Sequence, residues 1–204
     1  MSATTHLFTR NLMRAAVAAL FATSLALPVN TYAAAVGNLR QIETLANASS
    51  VKIATDKGHL LEISLLRPDM FRVWAGSDGK LVGAGDKAAP IVLKKDYSKV
   101  DYQLSDQREY QLLQTSKMSL RIYKKPLRLA LYKADNKTLL WQEMQSLDIA
   151  EKSSFQTLST TPDEVFFGGG QQNGSYAFKG KTLEVSYSGG WEENDRPSPA
   201  PFYM

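Results

Sequence analysis

The 204-residue sequence has no cysteine and only two histidines, His6 and His59. The lack of cysteine excludes disulfide frameworks, thiolate zinc sites, iron–sulfur clusters and thiol nucleophiles. With two histidines, one of them near the N-terminus, a multi-histidine metal centre cannot be built. A Ser-His-Asp triad could be built only around His59. We therefore expect no cofactor. Charge is almost balanced, with 24 Lys and Arg against 20 Asp and Glu, so the composition does not predict a nucleic-acid partner.

The first 35 residues have the features of a secretion signal. Two arginines precede an apolar run over 15–27, and small residues follow at Ala33 and Ala35. This pattern predicts cleavage after one of those alanines. The apolar run is shorter than the roughly 20 residues that a membrane-spanning helix needs. We predict a signal peptide over 1–35, a secreted or periplasmic protein, and no membrane partner after cleavage.

The remaining residues, 36–204, have the pattern of an all-β protein. Short runs of alternating or β-branched residues are separated by turn-forming residues such as Asp56-Lys57-Gly58 and Ala134-Asp135-Asn136. Residues 38–48 fit a helical period over a short length only, and we assign them to strand or loop. Many short strands without interleaved helices indicate an antiparallel β-sandwich. The predicted strands are Val51–Thr55, Leu60–Leu66, Phe71–Ala75, Tyr110–Thr115, Met118–Tyr123, Leu127–Tyr132, Thr138–Met144 and Leu183–Tyr187.

The last forty residues are dense in glycine, aromatic and amide side chains. Three consecutive glycines, Gly168–Gly170, predict a sharp turn or a close backbone approach. A dinucleotide-binding loop is excluded because Asn173 stands where a third glycine is needed. A phosphate-binding loop is excluded because five residues, instead of four, separate Gly174 from Gly180.

The same segment combines flat aromatic faces with planar hydrogen-bonding groups, which favours carbohydrate binding. Trp191 is the leading aromatic candidate because glycines and polar residues surround it. Each other aromatic is more readily interpreted as an interior residue of the sandwich. Gln171 and Gln172 have an alternative role, which is to satisfy loop backbone groups. The other aromatics considered are Tyr176, Tyr187, Phe202 and Tyr203.

Four motifs in this segment resemble, in order, those of the amino-terminal domain of family 31 glycoside hydrolases. They are Glu164–Gln172, Lys179-Gly180-Lys181, Trp191 with Asn194-Asp195, and Pro201-Phe202-Tyr203-Met204. Gln171 stands where the family more often has an acid. The Gln-Asn-Gly sequence that follows the glycines is closer to bacterial subgroups that act on α-glucans or α-linked N-acetylgalactosamine. The resemblance implies a β-sandwich of the galactose-mutarotase-like type that precedes a (β/α)8 barrel. In such enzymes two barrel aspartates carry out retaining hydrolysis.

The resemblance implies that 36–204 is an N-terminal β-sandwich domain, incomplete at its C-terminal end, whose partner in cis is the missing catalytic barrel. The substrate it implies is an α-glucoside or an α-N-acetylgalactosaminide. We assign no catalytic residue and no metal ligand to this chain, and we predict that it is inactive alone. Residues 190–196 match a loop at the mouth of the active site. The predicted substrate-binding residues are Asp195, Trp191 and Asn194.

Two alternatives remain open. Asp195 is equally well interpreted as a solvated loop acid that is capped by Arg196. The chain as a whole is alternatively a stand-alone, exported carbohydrate-binding β-sandwich without catalysis. A self-sufficient sandwich ends in a paired strand and a polar tail, whereas residues 199–204 end in hydrophobic groups and predict a strand that lacks its partner. We therefore favour the glycosidase domain.

Overall fold

Two antiparallel sheets contain most of the buried apolar residues in the described part of the chain. The computed structural model describes residues 35–45, 49–76, 81, 97–150, 153–171, 173–174, 177–190, 192 and 195–204. All of them fall within one compact unit, Tyr32–Met204. The predicted signal peptide therefore lies outside the described residues, apart from Ala35. The described ranges contain no helix that is long and apolar enough to cross a membrane.

Each sheet follows the chain as a simple meander. The four-stranded sheet consists of β1 (Leu39–Thr44), β2 (Ser50–Thr55), β3 (Leu60–Arg67) and β4 (Met70–Gly76). The five-stranded sheet consists of β5 (Gln103–Asp106), β6 (Tyr110–Gln114), β7 (Met118–Lys124), β8 (Leu127–Lys133) and β9 (Leu139–Gln142). Two short pairs follow, namely β10 (Asp148–Ile149) with β11 (Ser154–Phe155), and β12 (Gly168–Gln171) with β13 (Ser198–Tyr203).

Apolar residues at alternate positions of the two sheets meet in one core. Val51 and Ile53 of β2 are fully buried, and so are Leu120 and Ile122 of β7. Each such side chain contributes roughly 1.5–3 kcal/mol relative to its exposed state. The core residues are Val36, Val51, Ile53, Leu61, Ile63, Leu65, Val100, Leu113, Met118, Leu120, Ile122, Leu127 and Leu129. The two sheets are therefore held together by side chains from both, and the predicted all-β antiparallel class is confirmed.

Most of the predicted strands are present, and one is not. The hairpin of β7 and β8 joins two of the predicted strands and places Ile122 opposite Leu129. Residues 39–44 form a strand, which agrees with the expectation of strand or loop for 38–48 as far as the described residues go. The predicted strand Leu183–Tyr187 is wrong, because this stretch is irregular. Within this stretch, the Ser186 carbonyl instead accepts a hydrogen bond from the Arg196 side chain.

Polar side chains stabilise the predicted turn at Ala134-Asp135-Asn136. At the β8–β9 turn, Asn136 adopts a left-handed φ of 54°. The Asp135 carboxylate accepts hydrogen bonds from the hydroxyl and backbone N–H of Thr138 and from the backbone N–H of Lys137. These bonds lower the pKa of Asp135 to about 2. The carboxylate therefore stays ionised throughout the neutral range and keeps the turn closed.

Glu143 extends the five-stranded sheet beyond the end of β9. Its carboxylate accepts the Leu129 N–H and the Gln156 side-chain amide, each at 2.7 Å. Its own N–H donates to the Leu129 carbonyl at 2.9 Å. Burial raises the pKa of the Glu143 carboxyl, while the two accepted hydrogen bonds act in the opposite direction. The side chain thus acts as a backbone acceptor, and it ties the segment around Gln156 to β8.

The predicted close approach of backbone occurs at Gly170. Its φ is +77°, and a Cβ placed there would lie 2.1 Å from the carbonyl oxygen of Ser198. Only glycine permits β12 and β13 to pair at this distance. The pairing corrects the prediction that residues 199–204 lack a partner strand, since Gly168 lies opposite Tyr203 and Gly170 opposite Pro199.

We expect Gly170→Ala to separate β13 from β12. The positive φ costs about 1 kcal/mol for alanine, and overlap with Ser198 adds about 2 kcal/mol. The measurement is hydrogen exchange of the Met204 amide, which donates to the Phe167 carbonyl. Gly180→Ala is the matched control, because Gly180 has a φ of +73° but open space at its Cβ position. Equal protection of Met204 in the two variants would contradict the proposed contact.

Candidate functional site

The segment from Ser188 to Arg196, here called the closing loop, is joined at its base by backbone hydrogen bonds. Ser188 N–H donates to the Arg196 carbonyl at 3.3 Å, and Arg196 N–H donates to the Ser188 carbonyl at 3.2 Å. This short antiparallel contact follows from the turn chemistry of the sequence, which places Gly189 and Gly190 directly after Ser188. The loop therefore projects from a defined base.

Arg196 fixes the base of the closing loop to the irregular stretch before it. Its Nε donates to the Ser186 carbonyl at 2.8 Å. One terminal nitrogen lies 3.4 Å from a Glu184 carboxylate oxygen, and the Ser186 hydroxyl donates to the other oxygen of that carboxylate at 2.6 Å. Arg196 is thus engaged by Glu184 and Ser186. The contacts of its side chain within the described residues do not include Asp195, so they do not support capping of that acid by Arg196.

Asp195 organises the inside of the closing loop. Its Oδ2 accepts the Glu192 N–H at 3.0 Å, and its own N–H donates to the Glu192 carbonyl at 3.2 Å. A Cβ on Gly190 would lie 3.5 Å from Asp195 Oδ2, and one on Gly189 would lie 3.9 Å from Oδ1. Both are ordinary van der Waals distances, so the two glycines lie alongside the half-buried carboxylate.

Asn173 attaches the closing loop to the end of β12. Its backbone N–H donates to the Asp195 carbonyl at 3.0 Å, and its side-chain amide donates to the Glu192 carbonyl at 2.9 Å. The sequence predicted such a backbone-satisfying role for its neighbours Gln171 and Gln172. Asn173 was missed as a loop contact, although its place in the amide-rich run after the glycines was a usable signal.

Of the three predicted sugar-binding residues, the structure describes one. Asp195 is half-buried in the loop, whereas Trp191 and Asn194 lie outside the described residues. Tyr187, just before the loop, is 72% exposed, so it is not an interior residue of the sandwich. A carboxylate and an exposed phenol ring therefore lie close to each other in sequence, at the two ends of the loop base.

An apolar groove of about 830 Å³ is lined by residues between Ser154 and Phe202, several of which belong to the motifs described above. Phe202 was predicted to be an interior residue of the sandwich, yet it is 59% exposed, and Phe167 beside it in the lining is about half-exposed. Lys179 is not free to act there, because its ammonium donates to the carbonyls of Thr161 and Pro162. The lining apolar residues are Phe166, Phe167, Phe178, Leu183, Val185, Ala200 and Phe202.

The chemistry available at the closing loop is hydrogen bonding and ring stacking. A carboxylate already held by a backbone N–H is suited to accept a hydroxyl hydrogen bond from a sugar. Within the ranges that the structure describes, no three His, Cys, Asp or Glu side chains converge as a metal site would require. We find no arrangement in those ranges that performs bond cleavage.

The comparisons with known proteins agree with this geometry. Residues 60–204 match the family described as the glycosyl hydrolase 31 N-terminal galactose mutarotase-like domain. No curated protein sequence matches the chain at a significant level. The fold is similar to part of a glycoside hydrolase family 31 dextranase from Flavobacterium johnsoniae, solved with isomaltotriose, with a TM-score of 0.73 and 17% identity over 84% of this chain.

A second solved structure with a similar fold is the cycloalternan-forming enzyme from Listeria monocytogenes, in complex with its pentasaccharide substrate. Its TM-score is 0.58, with 23% identity over 76% of this chain. The chain spans 21% of the dextranase and 15% of the Listeria enzyme. These two relatives therefore contain far more chain than the part that resembles this protein.

We expect Asp195→Ala to loosen the closing loop. Loss of the bond to Glu192 N–H removes about 1 kcal/mol, and limited proteolysis within 189–195 should accelerate severalfold. Asp195→Asn keeps an acceptor oxygen and should be cleaved at the parent rate. Asp163→Ala, at an exposed turn acid, is the control. Cleavage of Asp195→Ala at the rate of that control would show that the carboxylate does not hold the loop.

Proposed function

The chain belongs to the family of glycosyl hydrolase 31 N-terminal galactose mutarotase-like domains, and on that premise we propose that it is the non-catalytic front domain of an exported retaining α-glycosidase. The observation that carries the proposal is the position of the groove and the closing loop. Both are built from residues 154–204, the part of the chain that follows the complete two-sheet core. In this proposal the core is a scaffold, and the later segment contacts the catalytic barrel.

The groove supports a docking role for this segment. Val185 is 42% exposed, Phe167 46% and Phe202 59%, and all three line the same cavity. Met204, at 71% exposure, continues the apolar surface along β13. Soluble proteins rarely leave large apolar patches uncovered unless these serve as interaction sites. We propose that the catalytic barrel of the same enzyme covers this surface.

The closing loop supports a role in substrate entry. In this proposal Asp195 accepts a hydrogen bond from a bound sugar near the plus-side subsite, with Trp191 and Asn194 as further contacts. The proposed substrate is an α-glucoside, in line with the isomaltotriose held by the similar dextranase. An α-N-acetylgalactosaminide is the second candidate. The two catalytic carboxylates, about 5–5.5 Å apart in a retaining enzyme, would come from the barrel.

We propose export as well, with signal cleavage after Ala33 and not after Ala35. Ala35 forms an antiparallel bridge with Asp148. Val36 is fully buried, and its N–H donates to the Leu147 carbonyl at 2.9 Å. Cleavage after Ala35 would place a charged amino group at this buried position, which is costly. N-terminal sequencing of the exported protein should therefore begin at Ala34, and a start at Val36 or at Met1 would contradict this.

The docking role is tested by the self-association of the chain without a barrel. We expect the chain to associate in a concentration-dependent way through its uncovered groove. Val185→Lys with Phe202→Lys should shift sedimentation to the monomer and weaken binding to a separately produced barrel at least tenfold. Leu140→Lys is the matched control, because Leu140 is 50% exposed on β9 of the five-stranded sheet.

A parent chain that stays monomeric at high concentration, or a control that dissociates as fully as the groove variant, would contradict docking through the groove. Full hydrolytic activity on isomaltotriose by this chain alone would contradict the non-catalytic role. Sugar binding without any barrel partner would support the alternative of a stand-alone carbohydrate-binding sandwich.

A further inference from the structure

A second cavity, of about 590 Å³, lies on the five-stranded sheet at the turn between β7 and β8. We call it the basic cavity. All of its lining residues belong to the scaffold part of the chain, so it is separate from the groove and from the closing loop. Four of the six lining residues are cationic. The lining consists of Arg108, Glu109, Tyr123, Lys124, Lys125 and Arg128.

Two of these cations are held in place by the sheet. The ammonium of Lys124 pairs with the Asp106 carboxylate and donates to the Gln107 carbonyl at 2.7 Å. Arg128 donates to the Glu143 carbonyl at 3.1 Å. Because each contact ties a long side chain to the scaffold, ligand binding at these positions costs less conformational entropy than at a free side chain.

The side chains of the other two cations have no polar partner in the part of the chain that the structure describes. Arg108 and Lys125 are exposed, and neither has an ion pair or a side-chain hydrogen bond to any described residue. Two acids, Glu109 and Asp106, offset part of the charge of the four cations. The cavity therefore keeps a net positive charge, and its uncommitted cations lie at the rim.

The aromatic wall of the cavity is rigid. Tyr123 meets the ring of Tyr110 edge-on, with centroids 5.6 Å apart, and the guanidinium carbon of Arg128 lies 4.9 Å from the Tyr123 centroid. Arg121 in turn lies over Tyr110 and, at 4.0 Å, over Tyr132. Tyr123 is thereby packed in a row of rings and guanidinium groups on the outer face of the sheet.

We propose that the basic cavity binds an acidic sugar, a pyranose ring that carries a carboxylate. The planar guanidinium groups of Arg108 and Arg128 match a carboxylate, and the half-exposed Tyr123 offers an apolar surface to the ring. Glu109 supplies an acceptor for sugar hydroxyls. A neutral sugar would leave the excess positive charge unmatched, and a bare inorganic anion would leave the aromatic wall unused.

The test compares two trisaccharides on the full chain, trigalacturonate and maltotriose, by isothermal titration calorimetry at low salt. We expect trigalacturonate to bind and maltotriose to bind at least tenfold more weakly at this cavity. Arg108→Gln with Lys125→Gln should weaken trigalacturonate binding at least tenfold. The control, Lys57→Gln with Lys137→Gln, removes the same charge from two exposed turn lysines and should leave binding within twofold.

Tyr123→Leu separates a sugar site from a simple anion site. This variant keeps an apolar side chain at a half-buried position, so the sheet should fold as before, and thermal unfolding checks that it does. Binding of trigalacturonate should fall severalfold in this variant, whereas any weak binding of inorganic phosphate, which does not contact the ring, should fall by a smaller factor. Unchanged trigalacturonate binding in Tyr123→Leu, equal loss in the two double variants, or no binding at all would overturn the proposal.

Discussion

The packing of alternate apolar residues between two antiparallel sheets is the constraint on which the rest of the structure depends. Leu120 and Ile122 of β7 and Val51 and Ile53 of β2 are fully buried in one core. Since this burial fixes the register of the central strands, it also fixes which side chains face outward. The same pleat that buries Ile122 places Tyr123 and Arg121 on the outer face. The alternation of inward and outward side chains along β7 therefore accounts both for the buried core and for the aromatic wall of the basic cavity.

A different kind of interaction organises the chain after β11. Few of the described residues there are buried, and their contacts are mainly polar, such as those of Arg196 and Asn173, together with the close pairing at Gly170. Hydrogen bonds on an exposed surface each contribute only about 1 kcal/mol, so this segment is stabilised far less than the core. The apolar groove remains open along it. In the proposed enzyme, docking on the barrel would provide the burial that the segment lacks by itself.

Much of the scaffold was predictable, because period-2 alternation and turn residues are local signals. They identified the β7–β8 hairpin and the turns at Asp56 and Asp135. The segment 183–187 has the same alternation, yet it forms no strand, and its Ser186 carbonyl accepts a hydrogen bond from Arg196, ten residues further along the chain. The role of Asn173 and the grouping of Arg108 with Arg128 were not predictable, because both depend on contacts between residues far apart in sequence. For the sugar-binding residues, only Asp195 can be placed, and its role in binding stays a prediction.

The proposal that this chain is the front domain of a larger α-glycosidase is tested by the nucleotide sequence that follows the Met204 codon in the gene. We expect an open reading frame of several hundred further codons, roughly 250 of which are needed for a barrel alone, with aspartates at the ends of barrel strands. An immediate stop codon would contradict it and would favour a stand-alone carbohydrate-binding sandwich.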